Sequence, residues 1–217
     1  MPGSQVPAQL VLGQLWCSAP GQSWLVPDMA TQSFGFLAAL GLEKPHVLGW
    51  STGGEIVLQM AVQDSAALGG VVSVAGDPGS AHFVGDPDVM TKIAKATPQE
   101  MLAMMFPADQ KAALDAFVTD LMSRPQDFPS QEVLAAQDAA WNAWLAGGIW
   151  DDLPAVSARC LLLNGADDEL VPAANAQNMA DRIPGAQLEI VPDAGHAVLL
   201  QEPVHCAQVI GAFLDET

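Results

Sequence analysis

The stretch from His46 to Ala61 limits the choice of fold more than any other. A short apolar run, Val47-Leu48, leads into Gly49-Trp50-Ser51-Thr52-Gly53, and an apolar, helix-competent segment follows at once. The pattern reads as strand, sharp turn and helix, with a serine at the apex. So tight a turn holds the serine in strained dihedrals, and the positions two before and two after it must be small. Both are glycine. A serine hydroxyl is a weak nucleophile and must stand clear of its neighbours where a base can reach it. The helix behind the turn points unpaired N–H groups and its positive dipole end at any developing negative charge. Ser51 is therefore a candidate nucleophile, and Thr52 N–H a candidate oxyanion donor. The competing reading is an ordinary strand-to-helix turn whose glycines serve close packing. Context elsewhere in the chain weighs between them.

The first 25 residues carry the weakest pattern, with Leu10-Val11-Leu12 as a short strand and Cys17 to Gln22 as a loop. A helix is predicted from Pro27 to about Leu40, opened by Pro27 and Asp28, stopped by Gly41 and apolar along Met29, Phe34, Leu37 and Leu40. After the central strand, the turn and its helix, Val71 to Ala75 reads as a second buried strand. From 85 to 149 only helical patterns occur. Thr97-Pro98-Gln99-Glu100 is a capping box. Ala113, Leu114, Phe117, Val118, Leu121 and Met122 share one helical face, and Gln131 to Ala146 forms a further helix. Strand character returns at Cys160–Leu163 and at Gln187–Val191, with a helix from about Ala173 to Arg182 between them and a last one from Pro203 to about Leu214. Strands alternating with helices predict an α/β fold with a mostly parallel sheet covered on both faces. The helical block sits between the second and third of these strands like an inserted cap. The expected division is a core of 1–84 and 150–217 with a cap of 85–149.

A chain of 217 residues fits one domain with a small insertion. Seven Lys and Arg against 25 Asp and Glu give a net charge of −18, which a phosphate backbone or an anionic membrane surface would repel. No nucleic-acid partner and no membrane partner is expected. Cys17, Cys160 and Cys206 follow no metal-ligand spacing, and an odd count gives no disulfide framework. No metal site, phosphate loop or dinucleotide fingerprint is found, so no cofactor is expected. No apolar run reaches the length of a membrane span, and the N-terminus lacks the basic region of a signal peptide. The expected location is the cytoplasm.

A serine nucleophile needs a base within hydrogen-bond reach and an acid that fixes the base's tautomer. In a parallel sheet, the loops after the strands' carboxyl ends share one edge. Ser51 follows one strand, Asp168 a later one and His196 the last. Here the chain resembles the α/β-hydrolase superfamily, and its cap-bearing serine hydrolase branch in particular, from about Trp24 to the C-terminus. The motifs that carry the likeness are Gly49-Trp50-Ser51-Thr52-Gly53-Gly54, the run Gly165 to Pro172, and Pro192-Asp193-Ala194-Gly195-His196. The order Ser, Asp, His is the order of that fold. The resemblance implies Ser51 as nucleophile, Asp168 as acid and His196 as base. Asp167 is the first rival acid and Asp77 the second, whereas His46, His82 and His205 read as surface or satisfied histidines. Trp50 and the cap residues Met101, Met104, Met105, Phe106, Trp141 and Trp144 are candidates for an apolar substrate pocket. Packing within the cap accounts equally well for any one of them.

The likeness fails at the front. Family members carry several strands before the turn, and a loop after one of them, often with His-Gly, donates the second oxyanion N–H. No His-Gly occurs in this chain, and about 45 residues precede the central strand. The chain resembles an α/β-hydrolase with its first strands removed. An apolar strand left without a neighbour is an association hazard. Either Ala8 to Leu15 supplies a replacement edge strand, or two chains pair there as a homodimer, or the edge stays loosely covered. The leading expectation is hydrolysis of a small carboxylic ester, lactone or thioester through an acyl-enzyme. The alternative is a non-catalytic member, a binding module or inactive fragment without the second oxyanion donor.

Overall fold

The computed structural model describes residues 10–12, 25–123 and 131–216. Its centre is a sheet of five strands in the order of the chain, β1 (Leu10–Leu12), β2 (His46–Trp50), β3 (Gly70–Val74), β4 (Cys160–Gly165) and β5 (Gln187–Val191). Every neighbouring pair is parallel. Leu10 to Leu12 lie against Val47 to Gly49, so this part of the expected replacement edge strand takes its place beside β2. The rest of Ala8 to Leu15, Cys17 and the loop to Gln22 lie outside the described residues.

Alternation along the strands explains why both faces are covered. Val71, Cys160 and Leu162 join one apolar cluster with α1 (Val26–Ala39) and α2 (Thr52–Asp64). Val72, Val74, Leu161 and Leu163 join a second, which takes in Cys206 and Phe213 of α9 (Pro203–Asp215). A period of two sends successive side chains to opposite faces, as a central parallel sheet requires. Burial pushes the Cys160 thiol up to about 12, so it packs as a small hydrophobe.

In α1 the buried positions are Val26, Met29, Ala30 and Leu37, while Leu40 is exposed. Leu40 lies beyond the last helical residue, just before Gly41, whose φ of 67° closes the helix. Between β3 and β4 come α3 (Pro87–Ile93), α4 (Pro98–Met104), α5 (Lys111–Met122) and α6 (Gln131–Ala146). The capping box forms at α4, with Thr97 Oγ1 accepting from Glu100 N–H and Glu100 Oε2 accepting from Thr97 N–H. On α5, residues 113, 114, 117, 118 and 121 are half-buried, the face that the periodicity predicts, with Met122 exposed at its end. After β4 comes α7 (Ala174–Ala180), and α8 (Val198–Gln201) precedes α9. Among the described residues, no helix is long and apolar enough to cross a membrane.

Candidate active site

Ser51 sits between β2 and α2 with φ 56° and ψ −124°, in the sparsely populated left-handed half of the map. The turn tolerates no side chain at Gly49, where a Cβ would lie 1.9 Å from the Gly53 carbonyl oxygen. The turn is tied down by Ser51 N–H, which donates to Val74 O at 2.9 Å, and by Gly54 N–H, which donates to Ser51 O at 2.7 Å. Thr52 opens α2, and its N–H is among those a helix leaves without an internal acceptor.

The loops after β4 and β5 meet Ser51 at the same rim of the sheet. They start in near contact, since a Cβ on Gly165 would fall 2.2 Å from the Ala194 oxygen. Asp167 N–H donates to that oxygen at 2.8 Å. This pairing turns the exposed Asp167 side chain outward and buries Asp168. Asp168 Oδ1 accepts from the N–H groups of Leu170 and Val171, each at 2.9 Å, which aims Oδ2 at His196. His196 Nδ1 lies 2.8 Å from Asp168 Oδ2, and Nε2 lies 3.0 Å from Ser51 Oγ. An ionised carboxylate only accepts, so Nδ1 carries the proton and Nε2 offers its lone pair to the serine hydroxyl. The imidazole and carboxylate are almost fully shielded, with side-chain exposures of 5% and 0%.

Three anchors that the sequence pattern does not reveal hold the His196 backbone. Trp50 Nε1 donates to His196 O at 2.8 Å, Gly195 N–H donates to Gln201 Oε1 at 2.9 Å, and Ala197 N–H donates to Met105 O at 2.9 Å. Gln201 Nε2 in turn donates to Gln110 Oε1 at 2.7 Å, so α4, the start of α5 and the His196 loop are stitched together. Asn164, at the end of β4, donates to Val171 O at 3.0 Å and steadies the acid loop.

The other candidates are placed elsewhere. Asp77 is buried after β3 and accepts from Gly79 N–H and Trp144 Nε1. His82 stacks on Trp150 at 4.3 Å, and His205 Nε2 meets Glu189 Oε1 at 2.7 Å. Burial and the Arg159 charge hold His46, at the opposite end of β2, below the ordinary imidazole value. Trp144 is 3% exposed in the core beside the sheet, and Trp141 meets Phe83 edge to face. Met104 lines a cavity of about 400 Å³ with Phe106, Pro107 and Leu114, and Asp167 and Glu169, the neighbours of Asp168 in sequence, border it. Among the described residues no group of three or more His, Cys, Asp or Glu is placed to hold a metal ion.

Residues 18–208 match the family described as the alpha/beta hydrolase family. The chain belongs to that family. The RutD protein of Caulobacter segnis, named as a carbamate hydrolase, is 31% identical over 196 residues, covering 85% of this chain and 70% of its own. A pimeloyl-[acyl-carrier protein] methyl ester esterase of Aeromonas hydrophila is 25% identical over 189 residues, covering 82% and 73%. Among solved structures, an alpha/beta hydrolase fold protein from Chitinophaga pinensis superposes with a TM-score of 0.77 at 24% identity, covering 89% of this chain and 73% of that one. The matches of this alpha/beta hydrolase span about three-quarters of its relatives' length.

Proposed function

We propose that this member of the family is a serine hydrolase that cleaves a small carboxylic ester, lactone or thioester through an acyl-enzyme. The observation that carries the reading is the buried chain of hydrogen bonds from Ser51 Oγ through His196 to Asp168. In this reading His196 Nε2 takes the hydroxyl proton as Ser51 Oγ attacks the acyl carbon. The same nitrogen returns the proton to the leaving alcohol or thiol, then activates the water that frees Ser51. Asp168 stabilises the imidazolium and keeps its ring oriented. Thr52 N–H, at the positive end of α2, holds the oxyanion. Loss of one oxyanion donor costs about 3–4 kcal/mol of barrier, so in this reading Thr52 N–H accounts for a substantial part of the rate.

Residues 85–149 act as the cap in this proposal. Trp50, whose ring centre is 5.7 Å from that of His196, and Met104 and Met105 of the cap form the apolar wall for the acyl or alcohol part. The relatives' names mention a carbamate and a methyl ester, and each of those groups presents an acyl carbon bonded to oxygen, the electrophile such a serine attacks.

A fluorophosphonate probe tests the assignment directly. The folded protein is expected to take up one probe per chain, at Ser51, and Ser51→Ala to take up none. Absence of labelling in folded protein would favour the non-catalytic alternative.

A further inference from the structure

Two carboxyl groups that this chemistry does not use lie together beneath the turn. Glu55 belongs to the first turn of α2, and Asp77 follows β3 by three residues. Glu55 is 2% exposed and Asp77 0%. Asp77 Oδ1 accepts from Gly79 N–H at 2.7 Å and from Trp144 Nε1 at 3.0 Å. Asp77 Oδ2 and Glu55 Oε2 are buried with no donor among the described residues. The backbones just before them touch, since a Cβ on Gly76 would fall 3.0 Å from the Gly54 carbonyl carbon, and this contact sets the Glu55 and Asp77 carboxyls side by side. Two carboxylates are both acceptors, so a bond between them requires a proton. Two buried anions in contact repel, and removing both from water costs several kcal/mol. Among the described residues, His196, from the loop after β5, is a further titratable group that acts on Asp77, while α6 contributes the uncharged Trp144.

Asp77 has two N–H donors that favour its anion, and the Glu55 carboxyl has none among the described residues. Burial holds Glu55 well above the usual carboxylate range, and the Asp77 charge adds to the effect. Burial also raises Asp77, against the pull of its Gly79 and Trp144 bonds. The proton therefore resides on Glu55.

We propose that Glu55 stays un-ionised in the folded protein and donates its carboxyl proton to Asp77, making a latch that joins the helix behind Ser51 to the cap helix α6 through Trp144. The latch acts on the nucleophile through one bond, because Glu55 N–H donates to Ser51 O at 3.2 Å. Glu55 is thus a positioning residue. An acid favoured in its protonated form by folding contributes stability that is complete below its unfolded value and is lost as pH rises through its folded one. Ionisation of Glu55 sets two buried charges against each other and frees Trp144.

Isotope-edited infrared spectroscopy of the whole chain tests the proton's location without a substitution. With ¹³C-labelled glutamate side chains, the wild type at neutral pH is expected to show one carboxylic acid C=O band shifted by the label, and Glu55→Gln to lack it. The unfolding midpoint in denaturant should fall more steeply with rising pH in the wild type than in Glu55→Gln, by about one proton's linkage. No acid band in the wild type, or a band unchanged by the glutamate label, would overturn the proposal. Positioning is read separately and rests on Ser51 as the nucleophile. Fluorophosphonate labelling of Ser51 should slow about tenfold in Glu55→Leu, which leaves Asp77 without its third donor, and recover in Glu55→Gln, whose amide still donates. Equal slowing in both would overturn the latch. The infrared band involves no nucleophile, so it distinguishes failure of the latch from failure of the serine hydrolase reading.

Discussion

Replacing His196 with alanine is expected to lower kcat for a good ester substrate by about 10⁴- to 10⁶-fold, the range seen when the base of a serine nucleophile is deleted. The loss is chemical rather than structural. The Trp50, Gln201 and Met105 bonds that hold this loop all go to main-chain atoms of residues 195–197, which alanine keeps. Asp168 retains the Leu170 and Val171 N–H groups on Oδ1, so it is not left without donors. Steady-state kinetics on the variant, with its circular dichroism spectrum unchanged, check this. A fall of less than about tenfold would mean that His196 is not the base.

Asp168→Asn is expected to cost about 10⁴ in kcat with little change in KM, although it alters only one atom and one charge. The surroundings dictate how the amide sits. The Leu170 and Val171 N–H groups require an oxygen at the Oδ1 position, so the NH₂ group must face His196 Nδ1. Nδ1 then has to accept, and the ring proton moves to Nε2, where it points at Ser51 Oγ. A ring in that tautomer cannot take the hydroxyl proton. The companion variant Asp77→Asn keeps both hydrogen bonds of the His196 ring, because those run to Asp168 and Ser51. Its kcat should stay well above that of Asp168→Asn. The reverse ranking would make Asp77 the acid.

Much of this arrangement is written in local patterns. Gly-x-Ser-x-Gly between an apolar run and an apolar helix specifies the turn, because the geometry at Ser51 excludes a side chain at Gly49 whatever surrounds it. Asp168 is distinguishable from Asp167 only by its place in the run to Val171-Pro172, and the structure supplies the reason. Val171 is one of the two residues whose N–H groups fix the carboxylate. The half-buried face of α5 follows its periodicity residue by residue.

What escaped the sequence are bonds between distant residues. The Trp50 indole reaches His196 O across 146 positions, and the Trp144 indole reaches Asp77 across 67. Periodicity marks which side of α6 is apolar, but not whether that side meets a cavity or the core. For Trp144 the sequence leaves pocket wall and packing open; its N–H requires an acceptor and finds one deep inside, on Asp77. Glu55 stands one position before an apolar run, where nothing local announces a second carboxyl. Only the fold brings β3's loop against α2.

The central claim is that Ser51 becomes covalently acylated during turnover. Rapid quenching of the protein with an activated acetate ester, followed by peptide mass spectrometry, measures this directly. The expected result is one acetyl group on the peptide carrying Ser51, formed within the first turnover and cleared as substrate runs out. It should be absent from Ser51→Ala and should not build up in His196→Ala. Ester hydrolysis that proceeds at full rate in Ser51→Ala, or an acetyl group found on another side chain, would contradict it.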